Sequence, residues 1–267
     1  MQEKIIQKLE DPFDLKNLAP RGYDFLMSAS LGPHVQFLRE QQAAFYANAI
    51  SIREDAETDY IVAALKSLEL SHQEIEFNDS LSEALFRRTS TREFAKAGIS
   101  FDVLSFYLKL SAGLKGSSAK RFYPSGGGLY SLRVYVLVRD VHEVEPGVYL
   151  FNPFKNSLDL INDPISPEDR WSLHNKTYDL SVFQNSSFEI LITTRPQIAL
   201  RKYGEHGWKI ILMEMGHLAQ NFILVGSGCG IACFPCSGLN LAQSEKVLRT
   251  FATGELLLYS IVCGKAG

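Results

Sequence analysis

Between Trp208 and Val225 the chain carries Ile210, Ile211, Leu212, Met213, Met215, Leu218, Phe222, Ile223, Leu224 and Val225, which together nearly encircle a helix. A helix apolar on all sides has no solvent face, so it belongs in a core or a subunit interface. The rest of the fold must be arranged to cover it. At 267 residues the chain is long enough for one large domain or two small ones with a usable core.

The covering layers are legible as strands and further helices. Leu132–Val138 and Phe188–Thr194 are β-branched and apolar runs of strand length. Gly147–Phe151 and Ser157–Ile161 flank Asn152-Pro153-Phe154-Lys155-Asn156, a hairpin turn. Ser100 caps a helix that runs to Ser111 and closes at Gly113. Ser166-Pro167-Glu168-Asp169 carries the marks of a helix start, Leu241–Phe251 reads as a helix, and Leu256–Val262 as a last strand. Mixed strands and long helices with a hairpin among them define an α+β class. Residues 1–80, punctuated by Pro12, Pro20 and Pro33, read as a helical N-terminal extension to a main domain over 81–267.

Charge removes several function classes. The balance of 27 Lys+Arg against 30 Asp+Glu gives a net charge of −3, without a basic block that would hold duplex nucleic acid or an anionic membrane. Met1–Leu15 has no apolar signal-peptide core, and no run reaches the roughly 18 apolar residues of a membrane span. Four cysteines do not make a disulfide scaffold, so reduced thiols and a cytoplasmic location are expected.

Cys229, Cys233 and Cys236 have a C-x3-C-x2-C spacing that on paper suits an iron–sulfur cluster. They follow a buried helix and leave no room for a barrel after them, so small buried hydrophobes are the better reading. Gly226, Gly228 and Gly230 follow a helix, and the third glycine of a dinucleotide loop would fall on Ile231. The six histidines have no metal-ligand spacing, so no metal is expected, and His217 reads as a hydrogen-bonded core residue.

Three segments carry chemistry. In Arg87-Arg88-Thr89-Ser90-Thr91-Arg92-Glu93-Phe94, an extended backbone puts Arg88, Ser90 and Arg92 on one face, with Thr89, Thr91 and Glu93 on the other. Two guanidinium forks and a hydroxyl suit a phosphate, and the alternative is a solvated basic turn. In Tyr123-Pro124-Ser125-Gly126-Gly127-Gly128-Leu129-Tyr130, three glycines before a strand let backbone approach a flat ligand without Cβ interference. Arg201-Lys202-Tyr203-Gly204 sets an amine beside a phenol, a pair able to relay protons if desolvated; taken alone, the segment reads as a surface loop.

Taken in order with Gly147–Phe151, Lys202–Trp208 and Met213–Asn221, these segments resemble the nitroreductase-like FMN oxidoreductases. The resemblance runs from about residue 84 to the end and is specific to the SagB-type azoline dehydrogenases, the branch that includes the microcin B17 synthetase oxidase. It implies a nitroreductase-like mixed sheet flanked by helices. It also implies that Arg88, Ser90 and Arg92 hold the FMN phosphate and ribityl chain, with Thr89 a backbone contact. Pro124, Ser125, Gly126 and Gly127 would lie against flavin, commonly across a homodimer seam. Ser237 and Gly238, in the turn after Pro235, would present amides to the reactive ring edge, and Lys265 would be a further phosphate contact. Ser131 stands where the family usually has proline, and Ser237 where it has Gly or an acid. The implied activity is oxidation of peptide thiazolines or oxazolines to thiazoles or oxazoles, with Lys202 as proton acceptor or relay, Tyr203 orienting or sharing that role, and dioxygen as reoxidant. The implied partners are an azoline-containing precursor peptide and the cyclodehydratase and peptide-recognition subunits of a synthetase. Two alternatives are an NAD(P)H-dependent nitro or quinone reductase and an inactive peptide-holding subunit.

Overall fold

The computed structural model describes residues 21, 60, 62–75, 80–116, 119–162, 173–174, 181–251 and 253–267. Its centre is a seven-stranded sheet in the order β1-β4-β3-β2-β5-β7-β6. The strands are β1 (Lys66–Glu69), β2 (Leu132–Val138), β3 (Gly147–Asn152), β4 (Ser157–Asn162), β5 (Phe188–Thr194), β6 (Ile231–Cys236) and β7 (Leu256–Lys265). Every neighbouring pair is antiparallel. The helices are α1 (Leu81–Arg87), α2 (Phe101–Ala112), α3 (Ser181–Gln184), α4 (Pro196–Tyr203), α5 (His206–Gly228) and α6 (Leu241–Leu248).

Both faces of the sheet are covered, which explains why the central strands are apolar throughout. Along β2, Leu132, Val134, Val136 and Val138 enter the cluster beneath α2 and α5, while Tyr135 and Leu137 enter the one beneath α6. Along β5, Phe188, Ile190 and Ile192 face the first cluster and Leu191 the second. The alternation follows from the two-residue period of a strand.

Four expectations are corrected. Residues 66–69 form a strand paired to β4, not helix, so the sheet reaches into the segment read as a helical extension. Most of residues 1–59 and the expected helix start at 166–169 lie outside the described residues. Pro235 and Cys236, expected in a turn, instead end an edge strand, Ile231–Cys236; among the described strands β6 pairs only with β7, so Pro235 is tolerated. The segment around Lys202 is the end of helix α4 and not a surface loop. Finally, α5 is covered on one side only. Ile210, Ile211, Glu214, Leu218, Ala219, Phe222 and Val225 are buried, whereas Leu212 is 43% and Met213 48% exposed, and Gly216, His217 and Gln220 are exposed with them. His217 is therefore on the open face and not in the core. By length and composition α5 is also apolar enough to cross a membrane, beyond what the sequence reading allowed; here its closed face packs on α2, α4 and β6.

Candidate functional site

Two groups of residues gather at opposite ends of α5. At its N-terminal end, Pro196 starts α4 from the first turn and Gly204 ends it, so the last residues of α4 turn back against the start of α5. Lys202 is fully buried there, its Nζ 5.1 Å from the centre of the Tyr203 ring. The glycine segment forms a short 3-10 turn, Gly126–Gly128, in which Gly127 has φ 64° and Gly128 φ 68°. A Cβ on Gly127 would collide with the Tyr203 hydroxyl and the Lys202 amine, and one on Gly126 with the Ile210 side chain. The sequence expectation that these glycines permit close approach is met, and what approaches within the chain is the lysine–tyrosine pair.

The turn is braced from below. The Ser125 hydroxyl donates to Glu214 Oε2 at 2.8 Å and accepts the Tyr130 N–H at 2.9 Å. Ser131 donates to the same carboxylate oxygen at 3.4 Å. Arg121, buried, donates to the hydroxyls of Tyr123 and Tyr60 at 3.1 and 3.0 Å. Burial pushes the Glu214 carboxyl up to about 7, against the opposing pull of Ser125, Arg121 and Ser131. Glu214 and Arg121 were not singled out from sequence. The one legible signal was an acid inside an otherwise apolar helix.

The arginine segment lies at the other end. Ser80 and Glu83 form a capping box that starts α1, and the helix stops at Arg87. Beyond it the chain runs alongside β6, with Ser90 bridged to Cys233 and the Thr91 N–H donating to the Cys233 carbonyl at 3.3 Å. A cavity of about 350 Å3 opens here, lined by Arg88, Thr89, Thr91 and Glu93 together with Ser227 of α5 and Ala266. The face expected to point away therefore lines this cavity. Ser90 and Arg92 are exposed outside it, the Arg92 guanidinium 4.4 Å from the centre of the Phe234 ring. Lys265 is exposed and stands opposite Ile231 at the same end of the sheet.

From that end β6 leads to Ser237, exposed, and Gly238, half-buried. Behind this turn Cys236 Sγ lies 3.7 Å from His174 Nδ1 and 2.9 Å from the Ser260 hydroxyl, and His174 Nε2 lies 2.8 Å from Glu189 Oε1. Burial pulls the imidazole down, but the Glu189 carboxylate and Cys236 together outweigh it and push His174 up to about 10. The 2.8 Å contact is a close buried ion pair, shorter than the roughly 3.3 Å between ligand atoms straddling a tetrahedral zinc ion. Cys229, Cys233 and Cys236 do not converge: Cys233 joins the cluster beneath α2 and α5, and Cys236 one on the far side of β6.

Residues 85–265 match the nitroreductase family, and the chain belongs to it, a family of oxidoreductases. Among curated relatives, MJ1384 of Methanocaldococcus jannaschii, a nitroreductase by name, is 29% identical over 169 residues, 63% of this chain and 84% of its own. The Escherichia coli microcin B17-processing protein McbC is 26% identical over 204 residues, 69% of this chain and 74% of its own. Among solved structures, a chain of the E. coli microcin synthetase McbBCD complex with truncated pro-MccB17 bound superposes with a TM-score of 0.59 at 21% identity, covering 86% of this chain and 94% of that one.

Proposed function

We propose that the protein is an FMN-dependent dehydrogenase that converts thiazoline or oxazoline rings of a ribosomally made peptide into thiazoles or oxazoles. The observation that carries this reading is the fully buried Lys202, held with the Tyr203 hydroxyl against the Gly127 backbone. A fully buried amine and a half-buried phenol beside an open glycine turn are a proton acceptor and its partner. A flavin reduced by nicotinamide has no evident need of such a pair. The similarity to McbC, a peptide-processing protein by name, supports the peptide substrate and a place among synthetase subunits.

The donor set fits FMN. Arg88, Ser90 and Arg92, with Lys265 near them, suit a phosphate, and the Gly126–Gly128 turn presents backbone to a flat ring. When bound, FMN supplies the hydride acceptor. The chain's own part is to anchor the phosphate, exclude water with Pro124–Gly127, offer the amides of Ser237 and Gly238, and take the ring-carbon proton at Lys202 Nζ or Tyr203 Oη.

Within one chain these groups do not meet. Ile210, beneath Gly126, and Ser227, at the arginine cavity, are 17 residues apart on α5, or roughly 25 Å. That is further than a ribityl chain reaches from its phosphate to the redox edge of its ring. A homodimer in which α5 of one copy runs against α5 of the other brings the arginine end of each to the lysine end of its partner. The open face of α5 and α1, with Phe86 91%, Leu81 67% and Met213 48% exposed, is the surface such a pairing covers. The test is the purified protein with an azoline peptide under air: yellow flavin absorbance and a mass loss of about 2 Da support the reading. A flavin-bound protein that consumes NAD(P)H and leaves the azoline intact overturns it.

A further inference from the structure

Glu214 is the one acidic residue of α5, and the chemistry above gives it no task. Its carboxyl lies under the glycine turn with Oε2 accepting from Ser125 and Ser131, while Oε1 is buried without a hydrogen bond. Ser125 is the pivot of that turn: its hydroxyl accepts the Tyr130 N–H and its carbonyl the Gly128 N–H at 3.0 Å. One helical turn earlier on α5, Ile210 closes the space beneath Gly126. The next residue, Gly127, is the one packed against Lys202 and Tyr203. A single carboxyl thus orients the hydroxyl on which the seat of the lysine–tyrosine pair depends.

We propose that Glu214 is a positioning residue of the site: it fixes the 125–131 turn against Lys202 and Tyr203 through Ser125, and holds it more firmly when protonated than when ionised. The role rests on the reading of Lys202 and Tyr203 as the proton-handling pair. The groups that face the carboxyl are Arg121 and Tyr123 from the segment before the turn, Ser125 within it, and Ser131 and the Leu132 amide at the start of β2. The closed turn keeps the carboxyl out of water, and that cost to the charged form exceeds what its hydrogen bonds return, so ionisation works against the closed turn. Burial places the change between the two states near neutrality, with the carboxyl pushed up to about 7.

Hydrogen exchange on the flavin-loaded protein tests this without relying on turnover. Protection of the Gly128 and Tyr130 amides, corrected for intrinsic exchange, is measured at pH 6 and pH 8. In the native protein it falls about fivefold between them. Glu214→Gln removes the step while retaining an acceptor for Ser125, and Glu214→Ala loses protection at both values. Native protection in Glu214→Ala, or a native pH step in Glu214→Gln, overturns the proposal; the second outcome decides the matter even if the alanine variant does not fold. Turnover of an azoline peptide is followed alongside. An exchange step without azoline oxidation leaves the positioning role standing and removes the functional reading.

Discussion

The two ends of α5 are built on different principles. At the N-terminal end Lys202 and Glu214 are buried, Ser125 has both a donor and an acceptor, and Gly126 and Gly127 have no room for a side chain. At the C-terminal end Ser90, Arg92 and Lys265 are exposed around an open cavity, next to Phe86 standing almost entirely in solvent. On the proposed reading the first end is complete within one chain because a proton acceptor must be desolvated and held still before substrate arrives. The second is a set of charges that gains its partner only from an anion. An apolar face between them is what a second copy would cover in the proposed homodimer, bringing one end to the other.

Removing the chemistry of the finished end has the largest expected effect. Lys202→Ala keeps flavin and dimer but lowers azoline turnover by about 10²–10⁴-fold, the usual contribution of a general base. Tyr203→Phe costs less if the phenol only orients the amine and as much if it carries the proton. Peptide mass spectrometry reads both, and native turnover in Lys202→Ala would move the chemistry elsewhere. Stripping the open end comes next. Arg88→Ala with Arg92→Ala weakens FMN binding by about a hundredfold or more, two charge-assisted contacts being lost, while the positions, Arg92 exposed and Arg88 half-buried, leave the melting temperature nearly unchanged. Flavin titration checks it, and native affinity would show that the phosphate sits elsewhere. Met213→Asp with Phe86→Asp shifts the dimer toward monomer and releases flavin with it, measured by light scattering.

The smallest effect sharpens the contrast between a buried and an open carboxyl. Glu214 titrates near 7 in the folded protein against 4.5 when unperturbed, so the folded state holds its proton longer than the unfolded one. Stability from this group is therefore fully present below about 4.5 and falls as pH rises through about 7. Glu214→Gln abolishes that fall and gains at most about 3 kcal/mol at pH 8, read from denaturant melts at pH 5 and 8. A melt with the native pH dependence would place the titration on another group.

What sequence made legible follows the same division. Strands β2, β3, β4 and β5 and helix α2 were readable because burial on two faces, turn residues and caps are local signals. Strand β6 was hidden because Pro235 and the cysteine spacing read as turn and motif, and its identity depends on pairing with β7 nearly thirty residues later. The α5 pattern overstated burial: an apolar residue such as Met213 announces a need for cover, not whether its own chain or another supplies it. Lys202 read as surface because a lysine is rarely buried, and only α4 folding onto α5 removes it from water. Resemblance named the residues of both ends, but alternation alone does not separate the cavity lining, to which Arg88 comes from one face and Thr89, Thr91 and Glu93 from the other.

Mixing two dead variants tests most directly whether the ends meet across a seam. Arg88→Ala/Arg92→Ala subunits are unfolded and refolded together with Lys202→Ala subunits in equal amounts, and azoline oxidation is measured against each variant alone. If each site takes its arginines from one copy and its lysine from the other, half of the dimers are mixed and each mixed dimer has one intact site. About a quarter of native activity then returns. If both ends serve the same site within one chain, every site in the mixture lacks one or the other, and the activity stays at that of the separate variants.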